Sequence, residues 1–158
     1  MRTNRPQRLK GASYVGFQRY FLTICTAFRA RAFEDEDVVS DVHQQFQQSA
    51  QQFDMEITAY CFMPDHLHAL LIATSEQADF CELVRRFKQV SGFHYKQSKK
   101  RDLWQPGYHE RILRDDEATE AVVRYILENP KYRGFVSYNF KDDHGFVLRQ
   151  GAHSPIID

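Results

Sequence analysis

The segment "MEITAYCFMPDHLHALLIA", from Met55 to Ala73, contains two apolar runs separated by Pro64-Asp65. Each run has the length and composition of a β-strand. The Pro-Asp dipeptide suits the two central positions of a type I turn. The segment therefore predicts a β-hairpin whose second strand begins at His66.

The segments on either side of this hairpin alternate in type between strand and helix. Acidic residues favour one helix start, and an aspartate is placed to cap another. The predicted elements are a strand over 20–28, a helix over 34–54, the hairpin, a helix capped by Asp79, a strand over 107–114 and a helix over 115–130. This order predicts an α+β fold, namely a ferredoxin-like antiparallel sheet with helices on one face. The segment from Gly134 has no clear pattern.

Length and composition indicate one folded domain over residues 1–158, with a basic N-terminal arm (1–16) and a tail of unassigned structure (137–158). No apolar stretch approaches the ~20 residues of a membrane-spanning helix. The N-terminus also lacks the apolar segment of a secretion signal. A cytoplasmic protein without membrane contact is expected. Its three scattered cysteines are expected to be reduced thiols.

The two histidines of the hairpin share one face of their strand. Side chains at i and i+2 project to the same side, with Cα atoms about 7 Å apart. His66 and His68 can thus hold a divalent metal and leave positions open for phosphate oxygens and water. The alternative is a pair of ordinary surface histidines, since seven histidines in 158 residues make this spacing a real coincidence risk.

Tyr125 and Asn129 lie one turn apart on the apolar face of the third predicted helix. A phenol, with a pKa of about 10, needs a neighbouring cation to act as a nucleophile at neutral pH. One interpretation makes Tyr125 the nucleophile and Asn129 an oxygen ligand of the metal. The other makes both residues structural. The sequence does not exclude Tyr95 or Tyr108 as the nucleophile.

The second predicted helix and the segment after it are basic, with no acidic residue between Leu83 and Arg101. We interpret these cations as phosphate contacts, aided by the N-terminal arm. A solvated helix face is the alternative. Trp104 is a candidate to stack on an unpaired base or to pack in the core. The candidate DNA-binding residues are Arg85, Arg86, Lys88, Lys96, Lys99, Lys100, Arg101 and Trp104.

Three motifs together resemble the single-tyrosine HUH transposases, and most closely the REP-associated tyrosine transposases. They are "MPDHLHALL", "LWQPGYHERILRDDE" and "VVRYILENPKYRGFV", which occur in that order. The resemblance covers roughly residues 17–136. It implies a ferredoxin-like nuclease that cleaves single-stranded DNA beside a hairpin and forms a 5′-phosphotyrosine. By position it makes His66, His68 and Asn129 the metal ligands and Tyr125 the nucleophile.

The expected cofactor is Mg²⁺ or Mn²⁺, because phosphate supplies hard oxygen ligands and the histidine pair suits Mn²⁺. The expected partner is single-stranded or hairpin DNA, with a monomer and a homodimer both left open. Two other functions are weighed against this one. A non-catalytic nucleic-acid-binding module would use the basic helix alone, and a hydrolase with water as nucleophile would cleave without a covalent intermediate.

Overall fold

A computed structural model of the protein describes residues 14–114, 116–128 and 135–138. The hairpin has the predicted bounds, with strands β2 at Met55–Met63 and β3 at His66–Ala73. Strand β1 (Arg19–Cys25) pairs with β3, and strand β4 (His109–Leu113) pairs with β1, both antiparallel. Strand β5 (Phe135–Tyr138), which the sequence left unassigned, pairs with β2. The sheet order is β4-β1-β3-β2-β5, and its first four strands have the predicted ferredoxin-like order.

Helix α1 (Glu36–Gln52) and helix α2 (Phe80–Lys99) begin at aspartate caps. The Asp35 carboxylate accepts hydrogen bonds from two backbone N–H groups of the first turn of α1. The Asp79 carboxylate accepts one from the backbone of Glu82. Such caps satisfy donors that have no partner inside the helix, and the negative charge also suits the helix dipole.

Side chains of β3 alternate between the two faces of the sheet. Leu67, Ala69 and Leu71 are fully buried in the large core beneath α1 and α2. His66 and His68 project from the opposite face. A one-residue change of register would exchange these two sets, so the burial of the apolar row fixes where the histidines point.

Helix α3 (Asp116–Glu128) corrects one part of the predicted fold. Helices were expected on one face, and this holds for α1 and α2. Helix α3 packs on the face that carries the histidines, where Val122 and Ile126 join a second apolar cluster with Leu70 and Cys61. An amphipathic helix buries its stripe against whichever apolar surface is near, and the sequence pattern does not say which face that is.

The first strand is shorter than predicted and ends at Cys25. The chain continues through two short 3-10 turns, Ala27–Arg29 and Ala32–Glu34. The backbone N–H of Thr26 donates to the Asp65 carbonyl, 2.9 Å away, and this bond joins the loop after β1 to the β2–β3 turn. The loop after β1 and the β2–β3 turn are therefore held together by backbone hydrogen bonds.

The three cysteines are free thiols, as expected, with two of them buried. Within the part of the chain that the structure describes, no helix is long and apolar enough to cross a membrane. The predicted basic arm falls almost wholly outside the described residues, and so does the predicted tail beyond β5. The extent of the single predicted domain stays a prediction.

Candidate active site

The imidazole rings of His66 and His68 point their Nε2 atoms towards each other. Their Nε2 atoms lie 3.2 Å apart, and the ring planes are nearly perpendicular, at 79°. Both nitrogens therefore face one point on the surface of the sheet. The sequence predicted this convergence from the strand spacing alone.

The other nitrogen of each ring is held by a neighbouring side chain. The Nδ1–H of His66 donates to the Asp65 carboxylate, 2.7 Å away, since a carboxylate only accepts. The Nδ1 of His68 lies 2.8 Å from the Thr23 hydroxyl, on the strand paired with β3. Partners of this kind fix ring orientation and tautomer, as is usual for histidines that bind metals.

The hydroxyl of Thr23 can serve either tautomer of His68. In neutral rings His66 keeps its proton on Nδ1, so the hydrogen bond between the Nε2 atoms needs the proton of His68 on its Nε2. Thr23 then donates to Nδ1. If both Nε2 lone pairs faced a cation instead, the proton of His68 would be on Nδ1, and the Thr23 hydroxyl would accept a hydrogen bond from that N–H. A hydroxyl is suited to this position because it can donate or accept.

Burial favours the neutral ring of His68, which is the form that binds a metal. The side chain is only 7% exposed. Burial, together with repulsion from neighbouring His66, lowers the pKa of His68 to about 4. His68 is thus a neutral donor at physiological pH.

Asp65 is itself held in place by Arg29. The Arg29 Nε–H donates to the second carboxylate oxygen, 2.9 Å away. Burial opposes ionisation of Asp65, but its hydrogen bonds to His66 and Arg29 outweigh burial and lower its pKa. The carboxylate therefore remains charged while it orients the His66 ring. A chain of contacts runs from the loop after β1 through Asp65 to the histidine pair.

Tyr125 lies beside His68 within the same chain. The ring centroids are 5.4 Å apart, with the planes at 70°. Phe21 touches both rings, stacking on His68 at 5.4 Å and meeting Tyr125 edge-on at 6.0 Å. About half of the surface of Tyr125 (51%) is open to solvent. The structure thus brings together three of the four residues predicted for the site.

The donor set fits a divalent cation. Two nitrogens bound to one ion at about 2.1 Å, at octahedral to tetrahedral angles, lie about 3.0 to 3.4 Å apart. The observed Nε2 separation of 3.2 Å falls in that interval. Among the described residues no third His, Cys, Asp or Glu completes a metal cluster. Asn129 lies outside the described residues, and its part in metal binding stays a prediction.

The predicted DNA-binding residues do not join this site. They lie on or just after α2, which packs against the opposite face of the sheet. Most cations of the group contact their own neighbourhood, for example Lys96 with Asp102 and Lys99 with Asp35. Lys88 donates to two backbone carbonyls of the following loop. These contacts and the position of α2 leave the proposed DNA role of the group untested.

Trp104 corrects another prediction. Its ring is only 9% exposed and packs against Phe33 and Phe87, and its Nε1–H donates to the Ser91 hydroxyl at 2.9 Å. An indole whose faces are covered by core residues cannot stack on a base. Trp104 therefore belongs to the core, as the alternative interpretation had it.

Three residues of the site were not predicted from the sequence, namely Thr23, Asp65 and Arg29. Asp65 could have been found from its place next to His66. Thr23 becomes visible only through the strand register, which pairs it with His68 on one side and His109 on the other. His109 consequently lies on the same face of the sheet, about 10 Å from His68 at ordinary strand spacing.

Comparison with known proteins identifies the class of protein that carries this site. The chain matches the family model "Transposase IS200 like" over residues 15–129, which include both histidines and Tyr125. The class is therefore that of the transposases. More narrowly, the chain belongs to the IS200-like transposase family, whose members are DNA-cleaving enzymes.

Individual relatives agree with this assignment. A proposed REP-associated tyrosine transposase of Haemophilus influenzae is 25% identical over 128 residues, covering 74% of this chain and 72% of the relative. The ISDra2 transposase TnpA of Deinococcus radiodurans is 31% identical over 134 residues, covering 76% of this chain and 89% of the relative. The resemblance to REP-associated tyrosine transposases is confirmed.

A solved structure supports the fold. The REP-associated tyrosine transposase bound to a REP hairpin matches with a TM-score of 0.66 and 20% identity, over 89% of this chain and 76% of that one. At this identity the likeness concerns the fold alone. The predicted α+β class is confirmed.

Proposed function

We propose that the protein is a metal-dependent transesterase that cleaves single-stranded DNA beside a hairpin through a 5′-phosphotyrosine intermediate. The observation that carries the proposal is the placement of an exposed Tyr125 ring against His68, whose Nε2 converges with that of His66. The residue proposed as nucleophile and the residues proposed to hold the metal are thus adjacent in one chain. Membership of a transposase family supplies the reaction class.

The reaction exchanges one phosphodiester for another. The Tyr125 oxygen forms a bond to phosphorus, and the bond to the 3′ oxygen of the preceding nucleotide breaks. The phenol loses its proton and the departing oxygen gains one, giving a free 3′-OH. The new ester retains the energy of the old one, so religation needs no ATP. The downstream strand stays attached to the protein through its 5′ phosphate.

The proposed metal is Mg²⁺ or Mn²⁺, held by His66 and His68 with Asn129 as a proposed third ligand. When bound, it would neutralise charge on the phosphate oxygens and favour ionisation of the phenol. The chain's own residues prepare this site in advance. Asp65 and Thr23 orient the two imidazoles, and Phe21 holds the rings of His68 and Tyr125 at fixed angles. Such preorganisation is a major source of catalytic rate.

The proposed partner is DNA with a hairpin next to an unpaired strand. Support comes from the relative whose structure contains a REP hairpin. The site itself suits the unpaired strand, because Tyr125 must approach a phosphate in line with the breaking bond. The cations on and after α2 are proposed to contact more distant phosphates of the hairpin. They lie on the side of the sheet opposite the histidines, so they would add affinity and salt dependence without touching the reacting phosphate.

A labelling experiment tests this proposal. Hairpin oligonucleotides with single-stranded flanks are labelled at the 3′ end and incubated with the protein and Mn²⁺, then separated on a denaturing gel. We expect the label at the mass of a protein–DNA adduct, while a 5′ label appears on a shorter free strand. The adduct should be absent with EDTA and with Tyr125→Phe, whereas Tyr95→Phe and Tyr108→Phe should retain it.

Three outcomes would contradict the proposal. An adduct in Tyr125→Phe would move the nucleophile to another tyrosine. Cleavage without any adduct would indicate water as the nucleophile. DNA binding without cleavage, under all metal conditions, would indicate a non-catalytic binding module.

A further inference from the structure

Phe28 is the most exposed large apolar residue of the described chain, with 98% of its surface open to solvent. Its backbone has φ 55° and ψ 22°, and Arg29 follows with φ 53°. Side chains other than glycine rarely adopt this left-handed region, and for an aromatic residue it is a strained conformation. Both the strain and the exposure are unfavourable, and neither is explained by packing.

The loop nevertheless holds Phe28 in place from both sides. Before it, the backbone N–H of Ala27 donates to the Leu103 carbonyl at 2.8 Å. The Thr26 hydroxyl contacts the carbonyls of Ala30 and Asp65, at 2.7 and 3.0 Å. After it, Arg29 is bonded to the Asp65 carboxylate. The backbone at Phe28 is therefore held in place, and its ring protrudes from this held loop into solvent.

This loop stands next to the candidate active site. Arg29, the next residue, bonds to one oxygen of Asp65, and the other oxygen of that carboxylate bonds to His66. The contacts that orient the histidine ring are thus the same contacts that hold the loop. The loop that carries Phe28 is thus joined to the histidine pair through a single carboxylate.

We propose that Phe28 stacks on an unpaired base of the DNA strand next to the cleaved phosphate, and so sets where the strand is cut. The inference rests on the proposed function of the site. Stacking on an exposed aromatic ring changes affinity for single-stranded nucleic acid by roughly 5- to 150-fold. It tolerates any base, since every base has an aromatic face. Phe28 would therefore fix the position of the strand without reading its sequence.

The surroundings favour a nucleic acid over a protein as the occupant. Arg29 and Arg31 follow Phe28 in the same loop, and their side chains are 56% and 62% exposed although they pair with Asp65 and Glu34. An exposed aromatic ring in a loop that also carries two exposed arginines suits a base with its phosphates. A stable protein interface needs roughly 1,000 Å² or more of buried surface, which a single protruding ring does not provide.

The test places a fluorescent base, 2-aminopurine, at successive positions of the unpaired flank of a hairpin oligonucleotide. Binding is measured with Tyr125→Phe as the background, so that no cleavage occurs. We expect one position to be strongly quenched, with the quenching lost in Phe28→Ala and Phe28→Leu and kept in Phe28→Trp. Phe17→Ala is the matched control. Phe17 is also exposed, at 66%, but it precedes the N-terminal end of β1, whereas Phe28 follows the C-terminal end.

Kinetics provides the second measurement, on proteins that retain Tyr125. Phe28→Ala should raise the KM for the oligonucleotide 5-fold or more, change kcat at saturating DNA less than about threefold, and scatter the cut position. The inference is wrong if no position's fluorescence depends on residue 28. It is also wrong if Phe28→Leu quenches 2-aminopurine as strongly as the unaltered protein does. A change in oligomeric state in Phe28→Ala, measured by sedimentation, with unchanged quenching and KM would likewise contradict it. Because the fluorescence needs no cleavage, it decides the role of Phe28 even if no adduct ever forms.

Discussion

The two faces of the sheet are built from alternate residues of the same strands, yet they use polar side chains differently. On the side of α2, charged groups end in exposed pairs such as Lys96–Asp102, whose side chains are 63% and 70% exposed. On the opposite side, His68 is 7% exposed and each of its ring nitrogens has a partner. Charge is abundant on the first side, and fixed geometry distinguishes the second.

This difference shows which polar groups define a site. An exposed ion pair contributes about 0–1 kcal/mol, and its loss leaves two solvated charges. A buried hydrogen-bonded group that loses its partner costs about 1–3 kcal/mol and also loses its orientation. A basic helix is therefore a weak indicator of function, whereas a buried histidine with a partner for each ring nitrogen is a strong one.

The largest expected effect follows from removing the histidine pair. His66→Ala with His68→Ala deletes both converging nitrogens, so DNA cleavage and Mn²⁺ binding should become undetectable. Cooperative thermal unfolding should persist, because the apolar row on the other face of β3 is untouched. Cleavage is checked on a denaturing gel and metal binding by electron paramagnetic resonance of Mn²⁺. Normal cleavage by the double variant would show that the histidine face of the sheet is not the active site.

The second prediction concerns the core side. Trp104→Ala should lower the free energy of unfolding by about 3–5 kcal/mol, the usual range for a buried aromatic residue. At temperatures where the variant is folded, the affinity for hairpin DNA should change less than about twofold. Denaturant unfolding and a binding titration measure the two quantities. A loss of affinity without a loss of stability would return Trp104 to the DNA-binding surface.

The sequence predicted those features that depend on local pattern. The hairpin from Met55 to Ala73, the acidic start of α1, the Asp79 cap of α2 and the ferredoxin-like order of elements all follow from residues close together in the chain. The convergence of the histidines did too, since two residues of one strand need no tertiary information to share a face. Tyr125 was found through its helix face together with a family resemblance.

The remaining features depend on contacts between distant segments. Thr23 reaches His68 only through the register of β1 with β3. Arg29 reaches Asp65 only through a loop with left-handed backbone, where the sequence favoured a continued strand. The apolar stripe of α3 was visible, but its face of the sheet was not. Periodicity specifies which side of an element is buried, and only packing specifies against what.

The third prediction concerns the orientation of the His66 ring. Asp65→Ala removes the acceptor of the Nδ1–H and the partner of Arg29, so Mn²⁺ affinity should fall about 10- to 100-fold, as for other residues that support metal ligands. Asp65→Asn should lower the Mn²⁺ affinity less, because the amide oxygen of asparagine can still accept the hydrogen bond from the Nδ1–H of His66. Asp102→Asn is the control, since Asp102 pairs with Lys96 on the far side. Equal affinities for Asp65→Ala and Asp102→Asn would show that the partly buried Asp65 contributes no more to metal binding than an exposed carboxylate.

The smallest expected effect tests the hydroxyl of Thr23. Thr23→Val keeps the shape of the side chain but can neither donate to nor accept from the Nδ1 of His68, so that ring loses the partner that adapts to its tautomer. One such hydrogen bond is worth about 1 kcal/mol, which predicts a roughly fivefold loss of Mn²⁺ affinity, with Thr23→Ser close to the unaltered protein. The free energy of unfolding should fall by about 1–3 kcal/mol, because the buried Nδ1 of His68 loses its hydrogen-bond partner. Should Thr23→Val bind Mn²⁺ as well as Thr23→Ser, the position of His68 must be set by packing against Phe21 alone. The site would then depend on shape at His68 and on hydrogen bonding only at His66.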